Sequence, residues 1–253
     1  MLPEPLFWKV HMYGLMIGVG LAAGFIILTY LCKKKKVDEK FSDFMFMNGV
    51  AAVFLGFLSG ALFQSVYNYI ENPDRGFKFG DSMTFLGGLI GGVVFFLILY
   101  AFMRKKYTTR LFEVLSIVPC VITIAHGFGR IGCFFAGCCY GKPTDSFLGV
   151  TFPGHTQAVH PTQLYEAAFL FVLFGLFMFL LLKYDFKYNF NVYLIAYGTF
   201  RFLLEFVRGD HRGQLLGFIS PSQTWSLCMV LIGVGLIFLM KKWYKDKEAR
   251  ESK

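Results

Sequence analysis

The chain has 253 residues, of which 56% are hydrophobic and 19% aromatic, and it carries a formal net charge of +9. This composition is too apolar for a soluble domain of that length and is typical of a polytopic membrane protein. The basic residues stand in short tracts beside apolar runs, so the charge predicts membrane topology and excludes nucleic acid as the partner.

Seven apolar segments are long enough to cross a bilayer, which predicts an all-α fold with seven transmembrane helices. They are residues 10–32, 44–67, 83–103, 111–128, 161–182, 191–207 and 223–240. The first run is too long for the apolar region of a signal peptide and ends in a basic cluster, so we expect no cleavable signal. We expect one membrane-embedded domain over residues 1–253, with 241–253 as a basic cytoplasmic tail.

The basic residues are distributed unequally between the two sides of this arrangement. One side holds 17 Lys and Arg residues and the other holds six, with Arg130 and Arg201 left aside. Because basic loops remain in the cytoplasm, the N-terminus is predicted outside and the C-terminus inside. Residues 71–80, 129–160 and 209–222 then lie on the extracytoplasmic face.

The segment from His126 to Gly141 follows an apolar run and contains one arginine, three cysteines and five glycines. Glycine breaks regular helix, and irregular backbone near a membrane is tolerated where it is buried in protein or lines a cavity. Guanidinium groups bind phosphate oxygens in bidentate geometry. We therefore interpret the segment as an anion site rather than a span, with Arg130 as a phosphate clamp. The alternative is an interfacial arginine whose head reaches water.

A second polar group occurs at Tyr197, Arg201, Glu205 and Arg208. The spacings are four, four and three residues, so on a helix these side chains share one face. Charged residues at mid-membrane cost roughly 2.5–3.5 kcal/mol each, which favours a polar cavity in front of them. Arg201 is interpreted as a second phosphate ligand, and a structural Arg201–Glu205 ion pair is the alternative. Both hold if Glu205 orients Arg201.

Three weaker signals accompany these motifs. The proline after His160 predicts a helix start, and His160 and Gln163 either face the same external cavity or serve that helix entry. Tyr13 places a hydroxyl in the first span, where it needs a partner. The glycines of residues 87–92 predict close helix packing.

Six cysteines in so apolar a chain do not predict a disulfide scaffold. Cys133, Cys138 and Cys139 follow none of the common zinc-ligand spacings, so we expect neither a metal ion nor another cofactor. A redox pair is conceivable, although adjacent cysteines form strained disulfides. The preferred interpretation is small packing residues in a tight loop.

Together these motifs resemble the prolipoprotein diacylglyceryl transferase family, over residues 13–226. The family signature Gly-Arg-x-Gly-Asn-Phe-x-Asn-x-Glu-x-x-Gly corresponds to residues 129–141. Five further motifs follow in family order: Tyr13-Gly-Leu, Gly87-Gly-Leu-Ile-Gly, His160-Pro-Thr-Gln-Leu-Tyr, Tyr197-Gly-x-x-Arg-Phe and Ser222-Gln.

The resemblance implies a multi-pass enzyme of the bacterial plasma membrane with its active site toward the extracytoplasmic face. Such an enzyme transfers the diacylglyceryl group of phosphatidylglycerol to the lipobox cysteine in the signal peptide of a preprolipoprotein. Its expected partners are phosphatidylglycerol, preprolipoprotein signal peptides and the surrounding membrane lipids. Arg130 and Arg201 are then expected to hold the phosphate, with Tyr197 as a further catalytic residue. The implied substrate-binding residues are Tyr13, Gly129, Gly132, Cys133, Cys138, Gly141, His160, Gln163, Glu205 and Arg208.

The chain departs from the family at several polar positions. The histidine usually proposed as the base is Leu86 here, and Ala61 stands near the place of an expected arginine. The two asparagines and the glutamate of the signature are replaced by Cys133, Ala136 and Cys138.

His126 precedes Arg130 by one helical turn and is a candidate for the missing base. The alternative is a buried histidine bonded to backbone. Two other functions stay open: a divergent relative that transfers a phospholipid-derived group to a different acceptor, and a non-catalytic lipid-binding membrane protein.

Overall fold

The computed structural model describes residues 11–80, 83–209 and 220–251. Within these ranges the chain is helical and forms no strand, only three isolated antiparallel bridges. The helices are α1 Met12–Lys34, α2 Glu39–Glu71, α3 Phe85–Met103, α4 Leu111–Val114, α5 Val118–Phe135, α6 Thr162–Tyr184, α7 Asn189–Leu204 and α8 Pro221–Glu251. The predicted all-α class is confirmed.

Six helices in the described ranges are long and apolar enough to cross a membrane: α1, α2, α3, α5, α6 and α8. The remaining predicted span corresponds to α7, which has 16 residues. At 1.5 Å per residue it is about 24 Å long, shorter than the roughly 30 Å hydrocarbon core. The count of seven spans and the orientation of the termini stay predictions.

The fourth predicted span is wrong in its bounds, and with it the view of the signature as broken backbone. The apolar run is divided after α4, and α5 begins at Val118 with a proline in its first turn, where a missing N–H costs no hydrogen bond. α5 then continues through Arg130 to Phe135. Gly127 lies in this helix at a close contact with α6, where a Cβ would lie 2.8 Å from the Phe171 ring.

The tail is also more ordered than expected. α8 does not stop near residue 240 but runs to Glu251. Residues 241–251 contain neither glycine nor proline and are rich in Lys, Glu and Arg, which favour helix. The basic end is therefore a continuation of the last helix.

The chain divides into two compact units, residues 32–110 and residues 1–31 with 111–253. In the first unit, α2 and α3 pack through glycines, as the sequence predicts for residues 87–92. A Cβ at Gly88 would lie 2.9 Å from the Gly56 carbonyl oxygen, and one at Gly60 would lie 2.9 Å from that of Thr84. The Ser59 hydroxyl donates a hydrogen bond of 3.1 Å to the Gly87 carbonyl.

The second unit contains α5 to α8 and most of α1. α5 packs on α6, and α7 packs on α8. Close approach again occurs at glycine: a Cβ at Gly198 would lie 2.8 Å from the Ser226 carbonyl oxygen. Leu170, Phe177 and Leu181 are fully buried on α6. This packing brings polar side chains of α5, α6 and α7 together in an apolar interior.

Candidate functional site

A buried carboxylate, Glu166, lies at the centre of the polar group. Its side chain is 1% exposed, near the start of α6. Its Oε1 accepts a hydrogen bond of 2.6 Å from the Tyr197 hydroxyl and lies 3.1 Å from Nε of Arg130. A buried charge is tolerated only when it is paired. Here α5 supplies the Arg130 cation and α7 supplies the Tyr197 hydroxyl as partners of the carboxylate on α6.

His126 completes this group from the same face of α5 as Arg130. Nε of Arg130 donates to Nε2 of His126 at 3.2 Å, and Nε2 lies 3.6 Å from Oε1 of Glu166. The imidazole also meets the Tyr197 ring edge-on, with centroids 5.4 Å apart. Nε2 accepts this hydrogen bond, an arrangement that fits a neutral imidazole with its proton on Nδ1.

The contacts of Nε with His126 and Glu166 determine how the Arg130 guanidinium is oriented. Among the residues that the structure describes, its two terminal nitrogens, Nη1 and Nη2, have no hydrogen-bond partner. The side chain as a whole is 19% exposed. Two terminal N–H groups of a guanidinium are suited to bidentate hydrogen bonding with an anion.

Arg201 forms a second pair. Its Nη1 lies 2.6 Å from Oε2 of Glu205, and its Nη2 donates to the Ser222 hydroxyl at 3.2 Å. The Ser220 hydroxyl donates to the other oxygen of Glu205 at 2.9 Å. The structural ion pair considered from the sequence is thus present. Arg201 also acts electrostatically on His126 and Glu166, so the two pairs belong to one charge network.

The prediction that Arg208 shares a helix face with Arg201 is wrong. α7 ends at Leu204, and the chain continues in tight turns with a bond from the Arg208 N–H to the Glu205 carbonyl at 3.3 Å. Arg208 is buried and forms an antiparallel bridge to Gly141. Its guanidinium interacts with the Cys139 thiol.

The loop after α5 is fixed by backbone hydrogen bonds at Gly141. Its N–H donates to the His160 carbonyl at 2.8 Å, and the N–H of Lys142 donates to that of Val207 at 2.8 Å. A Cβ at position 141 would lie 2.7 Å from the Val207 oxygen, so only glycine fits there. Gly141 therefore has a packing role that the sequence alone does not reveal.

His160 and Gln163 serve this loop and the helix entry. The Gln163 amide donates to the Cys138 carbonyl, and the Thr162 hydroxyl donates to the Cys139 carbonyl at 2.7 Å. His160 meets the Tyr165 hydroxyl through Nδ1 at 3.2 Å. The Gln163 and Thr162 contacts hold the loop after α5 against the start of α6, which begins at Thr162 as the proline predicts.

The remaining predicted residues lie beside α5. Tyr13 is half-exposed on α1, and a Cβ at Gly132 would lie 3.2 Å from its carbonyl oxygen. A Cβ at Gly129 would meet nothing within 4 Å, so packing does not require glycine there. Cys133 and Cys138 lie together with Cys139. Hydrogen bonds from the Cys133 and Cys138 thiols, with the nearby Arg208 cation, lower the pKa of Cys139 below its usual value.

Sequence reasoning missed the role of Glu166. The signal was available: Glu166 is followed by 16 consecutive uncharged residues, so its carboxylate needs a partner within the protein. Its second oxygen, Oε2, is buried and has no hydrogen-bond partner among the described residues.

Comparison with known proteins places these residues in a wider context. The family model described as prolipoprotein diacylglyceryl transferase matches residues 5–239. The phosphatidylglycerol–prolipoprotein diacylglyceryl transferase of Clostridium tetani is 36% identical over 251 residues, covering 94% of this chain and 96% of the relative. The second such transferase of Clostridium perfringens is 33% identical over 96% of this chain and 95% of its own. The transferase of a Marinomonas species is 31% identical over 97% and 94%.

Proposed function

The chain belongs to the prolipoprotein diacylglyceryl transferase family, and on that premise we propose that it transfers the diacylglyceryl group of phosphatidylglycerol to the lipobox cysteine of preprolipoproteins. The sulfur attacks the glyceryl carbon that carries the phosphate, the carbon–oxygen bond breaks, and glycerol phosphate leaves with the electron pair. The thiol proton passes to a base. No redox partner is needed for this balance.

The observation that carries the proposal is the orientation of Arg130. Glu166, itself held by Tyr197, takes the Nε side of the guanidinium and leaves the terminal nitrogens without partners among the described residues. A phosphate diester binds to that edge through two parallel hydrogen bonds. Because the site is largely desolvated, such bonds stabilise a leaving phosphate more strongly than they would in water.

Arg201 is proposed as the second cation of the phosphate site. Glu205 fixes one of its terminal nitrogens and Ser222 takes the other. A hydroxyl is a weaker acceptor than a phosphate oxygen, so Ser222 is the partner that an incoming headgroup displaces. Two guanidinium groups then face the charge that develops as glycerol phosphate departs.

His126 is proposed as the base that replaces the histidine absent at Leu86. Its Nε2 lone pair accepts a hydrogen bond from Nε of Arg130 in the structure. When Arg130 moves toward a phosphate, that lone pair becomes available to take the proton of the acceptor thiol. Glu166 remains as the counter-ion that stabilises the resulting imidazolium.

The finer topology is part of the proposal. Seven transmembrane segments with the N-terminus outside place the basic loops in the cytoplasm, in accord with 17 basic residues on that side against six on the other. The charge network then faces the extracytoplasmic side, where a translocated signal peptide presents its cysteine. Phosphatidylglycerol reaches the network laterally from the membrane.

A reconstituted assay tests the proposed function. Full-length protein in detergent is given phosphatidylglycerol labelled in the glycerol headgroup and a peptide that contains a lipobox cysteine. The expected result is a diacylglyceryl thioether on the peptide with equimolar labelled glycerol phosphate released. Binding of phosphatidylglycerol without turnover favours the non-catalytic alternative. Headgroup release without thioether, matched by lipid on another acceptor, favours the divergent transferase.

A further inference from the structure

Three thiols lie together at the end of α5. Cys133 is in the last turn of the helix, and Cys138 and Cys139 follow in the loop. Their three sulfur atoms are all within 4.8 Å of one another, and each residue is present as a thiol. Cys138 is exposed, whereas Cys133 and Cys139 are partly buried. The other three cysteines, Cys32, Cys120 and Cys228, are not part of this cluster.

The backbone that brings the thiols together is strained. Cys139 has φ of 65°, the left-handed region, which costs a residue with a side chain about 1–2 kcal/mol. Gly137 just before it also has a positive φ, of 68°. The conformation is held by the hydrogen bonds from Thr162 and Gln163 to the carbonyls of Cys139 and Cys138. Strain that the surroundings maintain in this way is a feature of functional sites.

From this geometry we propose that Cys133, Cys138 and Cys139 form a binding site for one thiophilic metal ion, with Zn²⁺ as the expected ion. Thiolate sulfur is the preferred ligand of zinc and related soft cations. Zinc–sulfur bonds of about 2.3 Å at tetrahedral angles place sulfurs about 3.8 Å apart. The three sulfurs, all within 4.8 Å of one another, lie close to that spacing. The proposal goes beyond the lipid transfer reaction and does not depend on it.

Sequence spacing predicts no metal here because Cys133-x4-Cys138 is followed directly by Cys139, without the second spaced ligand pair of common zinc sites. The structure shows that the fold, rather than a regular sequence spacing, brings the three thiols together. The left-handed turn at Gly137 and Cys139 reverses the chain, so that thiols five and six residues beyond Cys133 return to it.

Charge balance also suits such a site. Three thiolates around a divalent ion carry one net negative charge, and the buried Arg208 guanidinium interacts with Cys139. That cation offsets the excess charge of the complex. Three protein ligands leave one position of a tetrahedral ion for water or another ligand, as in an open rather than a closed structural zinc site.

The test is metal binding by the reduced full-length protein in detergent. Cd²⁺, a spectroscopic substitute for zinc, is titrated while sulfur-to-metal charge-transfer absorption is followed, and Zn²⁺ is then used to displace it. The expected result is one ion per chain. Replacement of any one of the three thiols, as in Cys133→Ser, Cys138→Ser or Cys139→Ser, should weaken binding by more than the roughly tenfold typical of losing a supporting hydrogen bond.

Cys228→Ser is the matched control, and it should bind Cd²⁺ like the wild type. Helix content by circular dichroism shows whether each serine variant has folded, and a folded variant that lacks binding supports the proposal. Lack of Cd²⁺ binding by the reduced wild type overturns it. So does equal binding by the variant with all three serines, or a stable disulfide between two of the three cysteines in freshly purified protein.

Discussion

Tyr197 on α7 donates its hydroxyl hydrogen to Oε1 of Glu166 on α6 at 2.6 Å, and both side chains are buried. The same oxygen lies 3.1 Å from Nε of Arg130. One carboxylate therefore joins three helices and sets the direction of the guanidinium that we propose to bind phosphate.

Tyr197→Phe should lower both stability and transfer. The ring remains, but a buried carboxylate loses its shortest hydrogen bond, which costs about 1–3 kcal/mol. We expect a lower thermal unfolding temperature and a larger KM for phosphatidylglycerol, because Glu166 no longer holds Arg130 in place. Tyr193→Phe is the control, since Tyr193 stacks on Tyr197 at 5.6 Å but contributes no hydroxyl to Glu166. Equal effects of the two substitutions would contradict the assigned role of the Tyr197 hydroxyl.

Arg130→Lys should reduce transfer by about tenfold to a hundredfold. An ammonium keeps the positive charge but offers no planar edge for two parallel bonds to phosphate, and each charge-assisted bond contributes about 1.5–3 kcal/mol. The measurement is kcat/KM in the reconstituted assay. Arg104→Lys, at the end of α3 in the other unit, is the control and should leave kcat/KM unchanged. Wild-type activity in the Arg130 variant would remove the phosphate clamp from the mechanism.

Much of the site is predictable because a charge inside an apolar run is costly. Arg130 and Arg201 both stand out for that reason, and both lie in the network. Glu166 was missed because a carboxylate in the first turns of a helix also has an ordinary role near the helix start. The sequence alone does not show that the partners of Glu166 come from two other helices, because α5, α6 and α7 meet only in the folded protein.

Local geometry that depends on tertiary contacts was less predictable. The spacing of Arg208 fits a helix face, but the helix ends four residues earlier, and loop pairing with Gly141 determines where Arg208 lies. The glycines of the signature indicate broken backbone, yet Gly129 and Gly132 lie within α5, which continues to Phe135. The thiol cluster depends on a positive φ at Cys139, a conformation that spacing does not encode.

Asp38 should make the first unit sensitive to acid. Its carboxylate accepts hydrogen bonds from the Thr108 N–H at 2.9 Å, the Thr108 hydroxyl at 3.0 Å and the Lys40 N–H at 3.2 Å. These bonds, that of the Thr108 backbone foremost, hold the pKa of Asp38 below its usual value. A lowered pKa contributes stability above about pH 4, and the contribution is lost as the pH falls through the folded-state value.

The corresponding experiment compares wild type with Asp38→Asn in thermal unfolding from neutral pH to below pH 4. The difference in unfolding temperature between the wild type and the variant should shrink as the pH falls. The Asp38 carboxylate binds a proton over this range, whereas the asparagine of the variant does not. Parallel curves over the whole range would show that the Asp38 carboxylate adds no pH-dependent stability.

Gly141 and Gly129 both belong to the signature, but the structure separates their roles. Gly141→Ala should destabilise the protein by about 1–3 kcal/mol, because its Cβ would lie 2.7 Å from the Val207 carbonyl oxygen and 2.8 Å from Cβ of His160. Gly129→Ala should be neutral or stabilising by up to about 1 kcal/mol, since the position is helical and its Cβ meets nothing within 4 Å. Thermal unfolding in detergent measures both. If Gly129→Ala keeps its stability but loses transfer, glycine at 129 is required by the approach of substrate rather than by the fold. An unfolding temperature for Gly141→Ala equal to that of the wild type would instead contradict the close contact between the loop after α5 and the chain that follows α7.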